Sequence, residues 1–267
     1  MLPALPFWQT ITRLADSLAT KVNKGSAKQQ QRAGFFSLVL LWGLVALLAA
    51  LLSYTADLPL VIDGLAFYLA LSDARLSRFK AIEKVSKEQG RTLLATLLKR
   101  DCSRYSSEGL YKAAIEGRWR VTKERMLLVL LFVGHAGLIA LLIRLWWVLA
   151  ERWHPARPGF IHFGRSPLAI AWLLRGCGLP LTTFWTVLPL KASALFTRQR
   201  PWQLAMLAEA LGCQLGGPLL VNGQRIQRHR VGPSAAPQAA HLARLRKLAI
   251  SGELATALLC GLALLAL

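Results

Sequence analysis

Apolar positions in this chain fall into two patterns. The first is the long unbroken run: Phe35 to Ser53, Met126 to Ala150, and Leu248 to Leu267. Each approaches or exceeds the roughly 20 residues needed to cross a bilayer core. The 126–150 run carries His135 and Arg144 inside it. A shorter run near 58–72 carries Asp63. A fifth, 168–196, is interrupted by Arg175, Gly176, Gly178, Pro180 and Pro189, and reads either as one kinked span or as two short limbs. The second pattern is a stripe. Phe7, Ile11, Leu14, Leu18 and Val22 recur at three- and four-residue spacing, which predicts an amphipathic helix over 5–22 flanked by Trp8. Such a helix either lies in the membrane interface or packs on the protein's own bundle. Asn23-Lys24-Gly25-Ser26 ends it.

Between the 58–72 and 126–150 runs lies a polar region, 73–125, in which Phe79, Ile82, Val85, Leu93, Leu94, Leu97 and Leu98 still recur near the helical period. It predicts two or more helices, punctuated at Gly90 and at Ser106-Ser107. Ser107 is the expected N-cap, with Glu108 in the first turn. The nearest thing to a strand is Leu219-Leu220-Val221, too short to count. The expected fold is therefore all-α: a polytopic integral membrane helical bundle with a basic cytoplasmic helical region. Residues 1–34 form an interfacial helix and basic flank. Residues 35–267 form one membrane domain, with an insertion at 73–125 and a loop at 198–247.

Charge sharpens this picture. Lys and Arg number 33 against 13 Asp and Glu, giving a net charge of +20, yet charged residues are only 17% and hydrophobic ones 54%. A soluble domain carries about 25% charged residues. The cations cluster beside the apolar runs, where they set orientation and meet anionic lipid. No zinc-finger spacing, RNP motif or helix-turn-helix pattern is present, so nucleic acid is not an expected partner. The 55–59 turn has no Lys or Arg, whereas 75–125 and 198–247 are rich in them. An N-in, C-out arrangement with five crossings fits best. Cys102, Cys177, Cys213 and Cys260 are scattered and suggest neither a disulfide framework nor a zinc site.

The most specific segment is Trp202-Gln203-Leu204-Ala205-Met206-Leu207-Ala208-Glu209-Ala210-Leu211-Gly212-Cys213-Gln214-Leu215-Gly216-Gly217-Pro218. It resembles the Gly-Trp-Pro-x-x-Ala-Met-Ala-x-Ala-Leu-Gly-x-x-Leu-Gly-Gly-Pro run of the CobD/CbiB membrane proteins of cobalamin biosynthesis, the adenosylcobinamide-phosphate synthases. Lys99-Arg100-Asp101-Cys102 stands where that family reads Gly-Arg-Asp-Thr, and Ala113-Ala114-Ile115-Glu116 matches its Ala-Ala-Ile-Glu-Ser. Arg144 falls at a Tyr-Arg, and Phe163-Gly164 at a Phe-Gly. The resemblance implies a multi-pass protein of the bacterial inner membrane. It also implies ATP-dependent amide joining of an aminopropanol phosphate arm to adenosylcobyric acid, with Mg²⁺ and ATP as cofactors. The partners it implies are corrinoid intermediates, other membrane-associated corrinoid enzymes and the lipid bilayer. A membrane protein of β-lactamase regulation is distantly similar to the same family.

Departures from the pattern fall on the polar positions. The family's Glu-Asn-Thr-Ser-Asp-Gly is Arg120-Val121-Thr122-Lys123-Glu124-Arg125 here, and its Asn-Thr-Leu-Asp is Trp147-Val148-Leu149-Ala150. The catalytic candidates that the resemblance leaves are Asp101, Glu116 and Glu124. Candidates for substrate or phosphate are Arg100, Arg118, Arg120, Arg144, Trp202, Gly216, Gly217 and Pro218. No metal ligand set is expected among them. Each has a plainer reading. Arg100 and Asp101 would make an interfacial ion pair, and Glu116 a structural salt bridge. Arg144 and Asp63 would pair with each other or with His135. Gly216-Gly217-Pro218 would present N–H groups to an anion, or simply break the chain. A membrane adaptor or sensor derived from the family, without its catalysis, is the alternative function; a small transporter comes third.

Overall fold

A computed structural model describes residues 6–55, 57–98, 101–131, 136–155, 157, 159–171, 199, 201–221 and 224–265. Nine helices are delimited among them: α1 Pro6–Val22, α2 Ala27–Thr55, α3 Pro59–Leu71, α4 Arg75–Ile82, α5 Lys87–Leu98, α6 Ser107–Leu131, α7 Gly137–Arg152, α8 Trp202–Leu211 and α9 Ala239–Leu265. A further helical stretch runs over 165–171. The protein is mostly helical, as expected, with one addition. Leu215–Gly216 (β1) pairs antiparallel with Arg230–Val231 (β4), and Leu219–Val221 (β2) with Gln224–Ile226 (β3). The three residues dismissed as too short are thus one arm of a small hairpin. The expected 168–196 segment lies almost wholly outside the described residues, as do His135, Cys177 and Arg100.

The chain divides into two compact units. One comprises Ala74–Leu127 with Gly178–Leu259. The other comprises Leu2–Asp73, Leu128–Cys177 and Cys260–Leu267. The first unit joins the polar insertion to the C-terminal motif, around Phe79, Ile82, Leu94, Ile115, Trp119, Met206, Leu211, Leu215 and Leu245. The second has its core at Ile11, Ala15, Leu38, Leu41, Leu145, Leu149, Trp153 and Phe163. There the Trp153 and Phe163 rings meet edge to face at 5.2 Å.

Helix ends are set by short polar side chains. Ser86-Lys87-Glu88-Gln89 forms a reciprocal capping pair: the Ser86 N–H donates to Gln89 Oε1 and the Gln89 N–H to Ser86 Oγ, each at 3.4 Å. The break therefore falls at 83–86. Gly90, expected to break the helix, lies buried inside α5. A Cβ there would stand 3.2 Å from the Leu110 side chain. Ser106, one residue before the predicted cap, accepts the Gly109 N–H at 3.0 Å. α8 ends on Gly212 at φ 74°, where the Cys213 N–H reaches Ala208 O at 3.1 Å and the Gly212 N–H reaches Glu209 O at 3.2 Å, a Schellman closure.

The predicted stripe on α1 is buried only in part. Ile11, Ala15 and Ala19 face the core, Phe7, Trp8 and Leu18 lie against it, and Leu14 is left exposed. The small alanines, absent from the stripe, allow the close approach. The expected 126–150 span falls on the last turns of α6 and on α7, which begins at Gly137. Asp63 explains that start. Its carboxylate accepts the Leu138 N–H at 3.1 Å, so a side chain from α3 caps α7. A Cβ at Gly137 would run into the Asp63 carbonyl.

Among the described residues one helix, α2, is long and apolar enough to cross a membrane. Its Phe36, Leu40, Leu44, Leu47, Leu48 and Leu51 are exposed, as are Leu60, Val61 and Leu65 on α3. On α9 Ile250, Leu254, Leu258 and Leu262 make an exposed stripe at four-residue spacing.

Candidate functional site

Two of the segments singled out in the sequence, Ala113-Ala114-Ile115-Glu116 and the Trp202–Pro218 run, lie about a hundred positions apart, and they meet. Ala113, Ala114 and Ile115 are buried in the core of the first unit, which turns Glu116 toward the start of β1. The Gly216 N–H donates to Glu116 Oε1 at 3.0 Å. Arg228, from the loop before β4, places Nη1 and Nη2 each 3.1 Å from Glu116 Oε2. Its Nε donates to Gly217 O at 3.2 Å. One arginine thus ties the carboxylate to the glycine turn in a fork-like geometry.

Both glycines are required by the backbone. Gly216 has φ 74° and Gly217 φ 81°. A Cβ on Gly216 would run into His229 O. Their N–H groups, which the sequence offered either to a bound anion or to a plain chain break, are taken up within the chain. The first goes to Glu116, and the second donates to His229 O at 3.0 Å. Pro218 follows at the surface.

Lys112 completes the cluster. Its Nζ lies 3.4 Å from where a Cβ on Gly217 would stand. Burial holds its amine below the usual lysine range, against the pull of Glu108 and Glu116, while Arg230 and Arg228 push the same way as burial. Two carboxylates therefore face three cations, which leaves an excess positive charge beside a carboxylate already satisfied. Cys213 nearby is a buried thiol pushed up to about 11 by desolvation, with Lys112 pulling it back. It is inert in the sense that matters for nucleophiles.

The other predicted residues do not join this cluster. Glu124 is buried and ion-paired with Arg75 at 2.9 Å. Asp101 is exposed, accepts the Ser103 N–H at 2.8 Å, and is held below its ordinary value mainly by that bond. Trp202 opens α8 at the surface. Arg118 and Arg120 point apart on α6: Arg118 is 2% exposed and Arg120 is exposed, so they share no phosphate site. Desolvation pushes the Arg118 guanidinium down to about 10, partly offset by Glu83. Arg144 pairs with Asp73 at 2.9 Å and lies over the Trp8 ring, while the expected partner His135 lies outside the described residues.

Sequence reasoning missed Arg228 and Lys112, and also the arginines that pair with two further acids. Arg246 holds Glu83 at 3.0 Å, and Arg125 holds Glu253 through two bonds of 2.9 Å. The run Arg225 to Arg230, just after Asn222-Gly223, was the available signal for Arg228. Mg²⁺ takes carboxylates and water in near-octahedral array. Among the described residues no group of three His, Cys, Asp or Glu side chains converges. Each buried acid has an arginine on it instead. The described residues therefore do not fit a Mg²⁺ centre. Comparison of the chain with family models, with curated proteins and with solved structures finds no match.

Proposed function

We propose that this chain is a CobD/CbiB-like multi-pass protein of the bacterial inner membrane, in which the family's amide-joining chemistry has given way to binding. In this reading it acts as a membrane adaptor or sensor for corrinoid assembly. The Lys112–Glu116–Arg228 cluster at the Gly216-Gly217 turn takes an anionic group, such as the phosphate of an aminopropanol arm or a corrinoid carboxylate. One observation carries it. Glu116, one of the acids the resemblance points to, has its oxygens occupied by the Gly216 N–H and by Arg228. A metal ion would have to displace a guanidinium from it. An anion would meet the excess charge of Lys112, Arg228 and Arg230 instead. The exposed apolar faces of α2, α3 and α9 support the membrane setting, since contiguous apolar surface of that extent is uncommon on soluble proteins.

The divergent ligase stays as a second reading, because the two family-like segments do meet at one carboxylate. Purified protein is given adenosylcobyric acid, aminopropanol phosphate and Mg-ATP, and the amide product is sought by mass. We expect no ATP-dependent product. We also expect aminopropanol phosphate to bind with or without Mg²⁺, and Lys112→Gln to weaken that binding. Turnover abolished by Glu116→Gln would restore the ligase.

A further inference from the structure

At the start of α2 the basic flank and the apolar span meet in an open groove of about 550 Å³, lined by Lys28, Gln31, Arg32, Phe35, Phe36 and Ser166. Lys28, Arg32, Phe35 and Phe36 lie at four-, seven- and eight-residue offsets, so they share one face of the helix. The same face continues through Val39 and Leu40 to Leu44, Leu47 and Leu51, all exposed. Neither Lys28 nor Arg32 forms an ion pair among the described residues. The groove also sits at the positive end of the α2 dipole. Two free cations, an amide and a hydroxyl thus stand at one end, and two exposed phenylalanines lead into an apolar stripe at the other.

We propose that this groove binds one anionic phospholipid. Its headgroup phosphate lies on Lys28 and Arg32, with Gln31 and Ser166 as hydrogen-bonding partners, and its acyl chain lies along Phe35 and Phe36. Charge complementarity and continuity with the α2 stripe select this occupant. A soluble phosphate uses only the polar end, and a neutral lipid only the apolar end. The inference rests on α2 crossing the bilayer, the membrane part of the proposed function.

The test begins with fractionation of cells expressing the full chain. Detergent-purified protein is then titrated with phosphatidylglycerol, phosphatidylcholine and soluble glycerol phosphate, with binding read by native mass spectrometry. Phosphatidylglycerol should bind preferentially. Lys28→Gln with Arg32→Gln should lower its affinity roughly twenty- to thirtyfold, the scale of two basic residues at an anionic surface. Arg13→Gln with Lys21→Gln removes the same charge from the exposed side of α1 and should leave binding unchanged. A chain recovered in the soluble fraction overturns both the membrane reading and the groove. A membrane-embedded chain with no preference for phosphatidylglycerol overturns the groove alone. So does equal loss in the two double variants, or glycerol phosphate binding as tightly as the lipid.

Discussion

The two units solve the problem of charge in opposite ways. The unit built from 74–127 and 178–259 carries many charges and pairs them. Glu83, Glu116, Glu124 and Glu253 each have an arginine within hydrogen-bonding distance, supplied by Arg246, Arg228, Arg75 and Arg125. The unit built from 2–73, 128–177 and 260–267 turns its long apolar runs outward and keeps Arg144 and Asp73 buried. An acid in the first is neutralised by a neighbour chosen from an excess of cations. The second keeps one pair, Arg144–Asp73, away from water and leaves another, Arg152–Asp16, partly exposed. What a pairing is worth therefore depends on its burial rather than on how many cations the unit holds. That difference bears on function, because a carboxylate closed by arginine is poorly placed to hold a metal but well placed to fix a loop.

The largest effect is expected at Arg144. Its side chain is 7% exposed and that of Asp73 is 2% exposed. Arg144→Leu leaves the Asp73 carboxylate buried without its cation, a change that costs about 3–5 kcal/mol. A thermal-unfolding series in detergent should show a large fall in Tm. Adding Asp73→Leu should return much of it, since two apolar residues replace the pair. If the single variant unfolds at the wild-type temperature, the apolar unit does not depend on this pair and the contrast fails.

In the charged unit the largest effect should come from backbone rather than charge. Gly217→Val puts a β-branched residue at φ 81°, with Arg230 Cγ 3.3 Å from the new Cβ. A residue forced into this region costs on the order of 1–3 kcal/mol before the clash is counted. Cys213→Ala, by contrast, removes one sulfur from a tight turn and should cost about 1 kcal/mol, near the middle of the range for point substitutions. Chemical denaturation should rank the two clearly. Similar losses would mean that the turn has no special backbone demand.

Much of the fold was legible because its signals are local. The α1 stripe and the α2 run declare themselves by spacing and length. Glu116 and Gly216-Gly217 stand out as candidates from the runs that hold them, Ala113–Glu116 and Trp202–Pro218. What was not legible rests on contacts distant in sequence. Arg228 reaches Glu116 across 112 positions, and Asp63 caps α7 across 75. Neither leaves a mark on hydrophobic periodicity, so the apolar run 126–150 reads as one span although α7 starts within it. Gly90 shows the converse error. As a local breaker it predicts a break, but its missing side chain serves the approach of Leu110. The Ser86 and Gln89 capping pair was local and readable, and it marks the true start of α5.

The smallest effect should come from a pair with the same chemistry as Arg144–Asp73 in the same unit. Arg152, at the end of α7, forms an ion pair with Asp16 of α1, but the two side chains are 36% and 38% exposed. Water already solvates both groups, so breaking the pair strands no buried charge. The Asp16 hydrogen bond raises the Arg152 pKa further above any working pH, so the guanidinium stays charged whether or not its partner is present. Asp16→Asn should therefore cost no more than about 1 kcal/mol, and less as salt is raised through the range where the screening length shortens. The measurement is the Tm of Asp16→Asn at low and high ionic strength beside that of Arg144→Leu. A loss at Asp16 that equals the loss at Arg144, or that ignores salt, would mean that burial is not what separates the two pairs.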